Sequence, residues 1–260
     1  SGVVRNSAYV NAVAKIALEF AVEAGAELDV DLKKLPYSIF ADKAKGLRLP
    51  PAENGWHIPA HAGFPKSPGT RIQQADAILL GQPLDVGIEK QLLKDDLDKY
   101  RSITDAGAPS TTWSMFATNY WAVNDTQHGR ETFEIARESI QQPFNVWAER
   151  ADGSGTLNSV ASAGAFLQTM IFGVGGAILR KDGLHFKPIS PSVTGSSAEV
   201  VIIHLRYRGW CLRQEVREAS VTYEAVRHEL PSSPTLCIRV AERGQDPVEL
   251  NIGTSKAVEV

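Results

Sequence analysis

A chain of 260 residues is long enough to bury the core of one or two domains. Hydrophobic residues at 43% and charged residues at 22% are ordinary for a globular protein, and a net charge of −3 gives no electrostatic case for nucleic acid or an anionic membrane. No apolar run approaches the roughly 20 residues of a membrane span, and the first residues show no signal-peptide pattern.

The first segment, Ser7 to Gly25, predicts a helix. Tyr9, Val13, Ile16, Ala17, Phe20 and Ala24 recur at spacings of three and four, and Gly25 is a stop signal. From Leu28 to Thr70 the chain is broken by Pro36, Pro50, Pro51, Pro59, Pro65 and Pro68, with a short helix expected around Tyr37 to Lys45. An irregular stretch this long is often functional. It carries Trp56, His57, His61 and Phe64, but two histidines four apart on a proline-rich loop are a poor metal signature. Four helix candidates follow: Ile72 to Leu80, the charged amphipathic Ile88 to Arg101, the aromatic-rich Thr111 to Val123, and Thr126 to Ile140 with Thr126 as its cap. Leu157 to Phe172 is another, slimmed by Ala161, Ala163, Gly164 and Ala165.

At Gly173-Val174-Gly175-Gly176 the period shifts toward two. Ala177 to Arg180 and Leu184 to Lys187 read as a hairpin about Lys181-Asp182-Gly183. Glu199 to Tyr207, Trp210 to Val216, Val221 to Arg227, Thr235 to Val240 and Val248 to Ile252 are further strands, spaced as in a small antiparallel sandwich. A helical domain is thus followed by a β domain, with the boundary near residue 175. Cys211 and Cys237 read as separate buried thiols, a disulfide requiring that they lie on facing strands. Asn124-Asp125-Thr126 is a glycosylation sequon that matters only in a secreted protein, and an extracellular or a cytoplasmic location stays open.

The stretch from Gln142 to Gln168 stands out chemically. It sets one carboxylate, Glu149, between Phe144-Asn145-Val146-Trp147 and the glycine-broken Ala151-Asp152-Gly153-Ser154-Gly155, ahead of a small-residue helix. An acidic side chain beside a Trp on such a loop is one way to present a carboxylate to a pocket. On these residues alone, a solvated Glu on an ordinary loop is the commoner outcome.

Four segments carry a family resemblance. Gly69 to Leu80, GTRIQQADAILL, resembles the I-K-Q-A-D-V-V-L-L segment of glycoside hydrolase family 65. Thr112 to Ala117, TWSMFA, after Gly107-Ala108-Pro109, resembles the family's helix that follows Gly-Pro or Ala-Pro. Phe144 to Asn158 resembles F-x-x-W-x-E-x-A-D-G-S-G-x-x-N of one hydrolase branch, and Asn6 to Ala14 resembles N-N-S-V-Y-T-N-A-V-A. The four occur in family order across nearly the whole helical part. Members include acid trehalases, kojibiose hydrolases, hydroxylysine-linked disaccharide glucosidases and disaccharide phosphorylases.

The resemblance implies a mainly α plus β fold. Residues 1–175 would be the C-terminal portion of an (α/α)6 barrel, and residues 176–260 a small antiparallel β-sandwich. It also implies inverting action on α-glucosides, which uses a protonated and an ionised carboxyl group roughly 6.5–9.5 Å apart. Glu149 matches the family's general base, and Trp147 would hold it in place. The acid belongs to a P-D-E-[FY] segment that this chain does not contain. With its start at Ser1-Gly2-Val3-Val4, without Met, the chain is expected to be a processed piece completed by an N-terminal segment or chain of the same precursor. Residues 146–158 hold no His and one Ser, where the phosphorylases carry a Ser- and His-rich phosphate loop, so water is favoured as the nucleophile.

Gln73 and Gln74 fall on the Lys-Gln pair that binds glucose, with Gln73 replacing the Lys and a neutral hydrogen bond replacing a charge-assisted one. Asp76 is expected to be structural. Trp56, Phe64 and Trp113 are candidates to stack on sugar faces, with burial in the core the equal alternative. No cofactor or metal is expected, homo-oligomerisation stays open, and the expected partners are an α-glucoside and the N-terminal segment. The leading reading is a segment of an inverting α-glucosidase acting on a glucosyl disaccharide or glucosyl-galactosyl unit. The alternatives are an acid trehalase, or a non-catalytic carbohydrate-binding or storage protein that keeps the fold.

Overall fold

A computed structural model describes residues 4–31, 37–65, 67–180, 182–195, 199–227, 236–240, 248–252 and 256–259. The chain divides into two compact units, Ser1–Ala108 and Pro109–Val260.

In the first unit, helix α1 spans Ala8–Glu27 and is capped by Ser7, whose side chain accepts the Val10 N–H. The helix runs through the expected stop at Gly25, which is buried inside it. It ends where the Leu28 N–H bonds the Ala24 carbonyl and Asp29 turns left-handed at φ 51°. Its small residues Ala8 and Ala12 let the backbone close on Leu80, with Ile58, Leu84 and Val86 packed around them. Helix α2 spans Tyr37–Gly46, as the sequence predicts. Helix α3, Lys90–Ile103, is the amphipathic element, burying Leu93, Leu97 and Tyr100 at helical spacing together with Asp96.

The irregular stretch before α3 is tied to that helix. Both Asp96 oxygens accept backbone N–H groups, from His57 at 3.0 Å and Ile58 at 2.6 Å. The Tyr100 hydroxyl donates to the Ile58 carbonyl at 2.8 Å, and the Lys99 ammonium donates to the Gly55 carbonyl. The helix expected over Ile72 to Leu80 is reduced to a 3-10 turn, Asp76–Leu80. Upstream of that turn the backbone groups are engaged elsewhere. Ile72 pairs in parallel with Thr104, donating to the Ile103 carbonyl at 3.0 Å and accepting from Asp105 at 2.8 Å.

In the second unit, helix α4 spans Ser110–Ala122 and is buried on nearly every face. Helix α5, Thr126–Arg137, is capped by Asp125, which accepts the His128 N–H at 3.1 Å. Thr126 is therefore the first helical residue rather than the cap. The helix also stops short of Ile140, because Ile140–Gln141 forms β1 and pairs antiparallel with β2, Val146–Trp147. Helix α6, Val160–Gln168, is capped by Ser159 and continues into one π-helical turn, Thr169–Val174. Ala117, Trp121, Phe133 and Val174 form the core of these helices.

Among the described residues eight strands follow: β3 Ala177–Arg180, β4 Gly183–Phe186, β5 Val200–Tyr207, β6 Trp210–Arg217, β7 Ser220–Arg227, β8 Leu236–Val240, β9 Val248–Ile252 and β10 Lys256–Glu259. They make two four-stranded sheets, ordered β10-β7-β6-β5 and β3-β4-β8-β9. All pairs are antiparallel except β4 with β8, which run parallel, so the second sheet is mixed rather than wholly antiparallel. Strand β10 adds an element that the sequence pattern did not announce. Leu184, Phe186, Ile238 and Val240 of one sheet share a core with Leu212, Val216, Val221 and Tyr223 of the other. Cys211 on β6 is a half-buried free thiol. The Cys237 side chain, Lys181 of the predicted turn and Thr235 of the predicted strand lie outside the described residues. Among the described residues no helix is long and apolar enough to cross a membrane.

Candidate active site

Glu149 sits where β2 leaves its hairpin and the chain enters a closed turn. Its N–H donates to the Thr156 carbonyl at 3.1 Å, and the Thr156 N–H donates to Glu149 Oε2 at 3.0 Å. Two further backbone bonds fix the frame. Ser110, at the start of α4, donates to the Glu149 carbonyl at 2.9 Å, and Ser159 donates to the Trp147 carbonyl at 2.7 Å. The glycines of the motif are needed for the turn. Gly153 and Gly155 have φ of 78° and 79°, a region that costs side-chain-bearing residues. A Cβ on Gly155 would stand 2.6 Å from Glu149 Oε2, so the carboxylate lies directly against the loop backbone. Asp152 completes the turn by accepting the Ser154 N–H at 2.9 Å.

These contacts set the charge. The Thr156 backbone N–H, then the Thr156 side chain, hold the Glu149 carboxyl below the ordinary glutamate range; partial desolvation opposes them, and Arg150 adds a smaller lowering. A carboxylate kept ionised can take a proton from water and is poorly suited to give one. Trp147 is half-buried, with its ring 5.2 Å from that of Phe166. Phe166 stacks on Phe133 at 5.9 Å, and Phe133 lies 5.4 Å from Trp121. The residue two before the carboxylate is thus anchored through an aromatic chain into the helical core. Gly155 is named with the glycine-broken loop, whereas Thr156 is not singled out by residue type. The one sequence signal for Thr156 is the glycine pattern that precedes it.

Of the remaining candidates, Gln73, Gln74, Asp76, Trp56 and Phe64 belong to the first unit and Trp113 to the second. Gln73 and Gln74 are exposed, in the short stretch between the Ile72 pairing and the Asp76 turn. The Gln73 amide nitrogen donates to Asp105 Oδ2 at 3.1 Å. Asp76 opens the turn, and desolvation raises its carboxyl above the ordinary range. Trp56 is 7% exposed, with its ring centroid 4.3 Å from Tyr100 and 5.2 Å from Phe64. Its indole is engaged in packing, as are Phe64 and Trp113, which are also buried. A hollow of about 540 Å³ lies beside α1, bordered by Asn11, Lys15, Arg48 and Asp85, and neither Gln73, Gln74 nor Trp56 lines it. Among the described residues no group of three or more His, Cys, Asp or Glu is placed to hold a metal ion.

No family model matches the chain. Individual proteins do. The chain is 33% identical over 220 residues to protein-glucosylgalactosylhydroxylysine glucosidase of Danio rerio, covering 84% of this chain and 32% of that protein. It is 30% identical over 173 residues to kojibiose hydrolase of Flavobacterium johnsoniae, covering 66% of this chain and 24% of that protein. In fold it is similar to a solved chain described as a candidate kojibiose phosphorylase from the human microbiome, with a TM-score of 0.73 at 13% identity, over 99% of this chain and 40% of that one. The chain spans about a third of the length of the curated glucosidases it matches. Homology to these glucosidases and to kojibiose hydrolase, over most of its own length, shows that the chain belongs to glycoside hydrolase family 65.

Proposed function

We propose that the chain is the C-terminal segment of an inverting α-glucosidase that hydrolyses a glucosyl disaccharide or a glucosyl-galactosyl unit, with Glu149 as the general base. The observation that carries this is the Glu149–Thr156 clamp, which keeps one carboxylate ionised on a glycine turn beside an anchored Trp. Water attacks the anomeric carbon from the face opposite the leaving group. Its proton passes to Glu149 while an acid supplied by an N-terminal segment or chain protonates the departing oxygen. Gln73 and Gln74 hold the glucose by hydrogen bonds. Trp147 keeps the base in place, and Trp56 acts through the loop it anchors rather than by stacking.

In this reading residues 1–175 are the last part of an (α/α)6 barrel, and residues 176–260 are a β-sandwich. The need for a completing segment is supported by apolar side chains left in solvent. Val10 and Phe20 on α1, and Leu157, Val160 and Leu167 at α6, are all exposed.

The test is hydrolysis of α-glucosyl disaccharides by the assembled protein, followed by proton NMR of the first-formed glucose. The β anomer is expected, without dependence on phosphate. Glu149→Gln is expected to lower kcat by roughly 10²–10⁴-fold. The α anomer as first product, or an unaffected Glu149→Gln variant, would sink the assignment. One feature favours a second reading. Gln73 stands where the resemblance has a Lys, which suits a protein that binds glucosides without turning them over; saturable binding with no glucose release would select it.

A further inference from the structure

The side-chain amide of Gln141 bridges the two stretches of backbone that flank Glu149. Gln141 ends β1, opposite Val146 of β2, and is half-buried. Its Nε2 donates to the Ser139 carbonyl at 3.2 Å and to the Ala151 carbonyl at 3.4 Å. The Ser139 carbonyl is itself an anchor: Ser139, just past α5, is buried, and the same carbonyl accepts the Ala148 N–H at 2.9 Å. Ala148 immediately precedes Glu149, and Ala151 opens the turn that follows it. The amide oxygen lies against that turn, since a Cβ on Gly153 would stand 3.1 Å from Gln141 Oε1. One side chain therefore ties the strand that leads into Glu149 to the turn that leads on to Thr156.

A glutamine amide has two N–H donors, and here one serves each side of the carboxylate. The turn needs such a tie. Its residues 151, 152 and 154–157 are exposed. Two of its own bonds, from the Gly153 N–H to the Arg150 carbonyl at 3.0 Å and from the Ser154 N–H to Asp152 at 2.9 Å, join the turn to itself. An exposed turn closed on itself can swing as a body, and swinging carries the Thr156 N–H off Glu149 Oε2. We infer that Gln141 is a positioning residue for the base: by holding Ala151 to the buried Ser139 carbonyl, it keeps the Thr156 N–H on the Glu149 carboxylate and the carboxylate at one angle. An ionised glutamate at this position would present only acceptors to two carbonyl oxygens, and would push the turn away. This rests on the reading of Glu149 as the general base.

The experiment compares Gln141→Ala, the isosteric Gln141→Glu, Glu149→Gln and the Gln141→Ala, Glu149→Gln double variant in the assembled protein. It reads amide hydrogen exchange at Thr156 and kinetics on an α-glucosyl disaccharide. Exchange at Thr156 is expected to quicken about five-fold in Gln141→Ala, the weight of one lost hydrogen bond. kcat is expected to fall about ten-fold with KM changed less, because a displaced base weakens the transition state more than the bound substrate. The acid limb of kcat/KM should move up toward the ordinary glutamate range, since the Thr156 amide that lowers Glu149 is loosened while Arg150 remains. Gln141→Glu should show changes at least as large although it keeps the bulk of the side chain. In the Glu149→Gln background, Gln141→Ala should cost little more, because both act through one group. The inference is overturned if Thr156 exchange or the acid limb is unchanged in both Gln141 variants, if Gln141→Glu behaves as the parent protein, or if Gln141→Ala keeps its full loss of kcat in the Glu149→Gln background; in each case the Glu149 assignment stands. If Glu149→Gln itself leaves kcat unchanged, the base reading and this inference fall together.

Discussion

Glu149 and Thr156 clamp each other. One donates backbone N–H to carbonyl at 3.1 Å, and the other donates backbone N–H to carboxylate at 3.0 Å. The pair closes a turn with an ionised oxygen inside it, so the geometry and the charge of the site come from the same two bonds.

The first prediction concerns pH. A carboxyl whose folded pKa is depressed stays ionised as pH falls past the ordinary glutamate value. If Glu149 is the base, the acid limb of the kcat/KM profile lies below the ordinary glutamate range. The same sign holds for stability. The contribution of the clamp is fully present above the unfolded-state pKa and is lost as pH falls through the depressed one. A limb above the ordinary range would assign the rate to another group.

The second prediction tests the glycine against the carboxylate. In Gly155→Ala the new methyl stands 2.6 Å from Glu149 Oε2 and 2.9 Å from its Cβ and Cδ, at a backbone φ of 79°. The carboxylate must move. A displacement near 1 Å is expected to cost about 100-fold in kcat, and the left-handed backbone adds about 1 kcal/mol of destabilisation. Kinetics and a chemical denaturation curve on the same preparation separate the two; an active Gly155→Ala would show that the carboxylate is not held against the loop.

The sequence was legible where side-chain chemistry repeats locally. Leu93, Leu97 and Tyr100 at helical spacing gave α3, and the alternation from Val200 onward gave β5 to β7. It was not legible where partners are distant or are backbone atoms. Nothing in Leu184 to Phe186 announces parallel pairing with Ile238 to Val240, and the two-residue strands β1 and β2 are too short to show a period. At the site, Glu149 and Trp147 could be named from a motif. Thr156 contributes an amide that every non-proline residue has, so its role was invisible. Trp56 shows the reverse: its type suits a sugar face and a core equally, and its packing on Tyr100 and Phe64 could not be read from the sequence.

A third prediction separates two glycines of the second unit. A Cβ on Gly129 would stand 2.2 Å from Trp121 Nε1, inside the core that also holds Phe133. A Cβ on Gly164, within α6, meets nothing within 4 Å. Gly129→Ala should destabilise by about 1–3 kcal/mol through overpacking, whereas Gly164→Ala should be neutral or stabilise by about 0.5–1 kcal/mol through helix propensity. Urea denaturation of both variants checks the contrast, and equal effects would contradict the packing around Trp121.

The fourth prediction addresses the loop that carries Trp56. Asp96 is 3% exposed and accepts the N–H groups of His57 and Ile58. In Asp96→Ala both donors lose their acceptor inside the protein, a cost on the order of 3 kcal/mol for the two together. Asp96→Asn keeps one acceptor oxygen and should cost roughly half of that. The loss should appear first as faster hydrogen exchange at the His57 and Ile58 amides, because the ring packing of Trp56 on Tyr100 and Phe64 still holds part of the loop. Exchange unchanged at those two amides in Asp96→Ala would mean that the aromatic packing alone fixes the loop, and that Asp96 is buried for another reason.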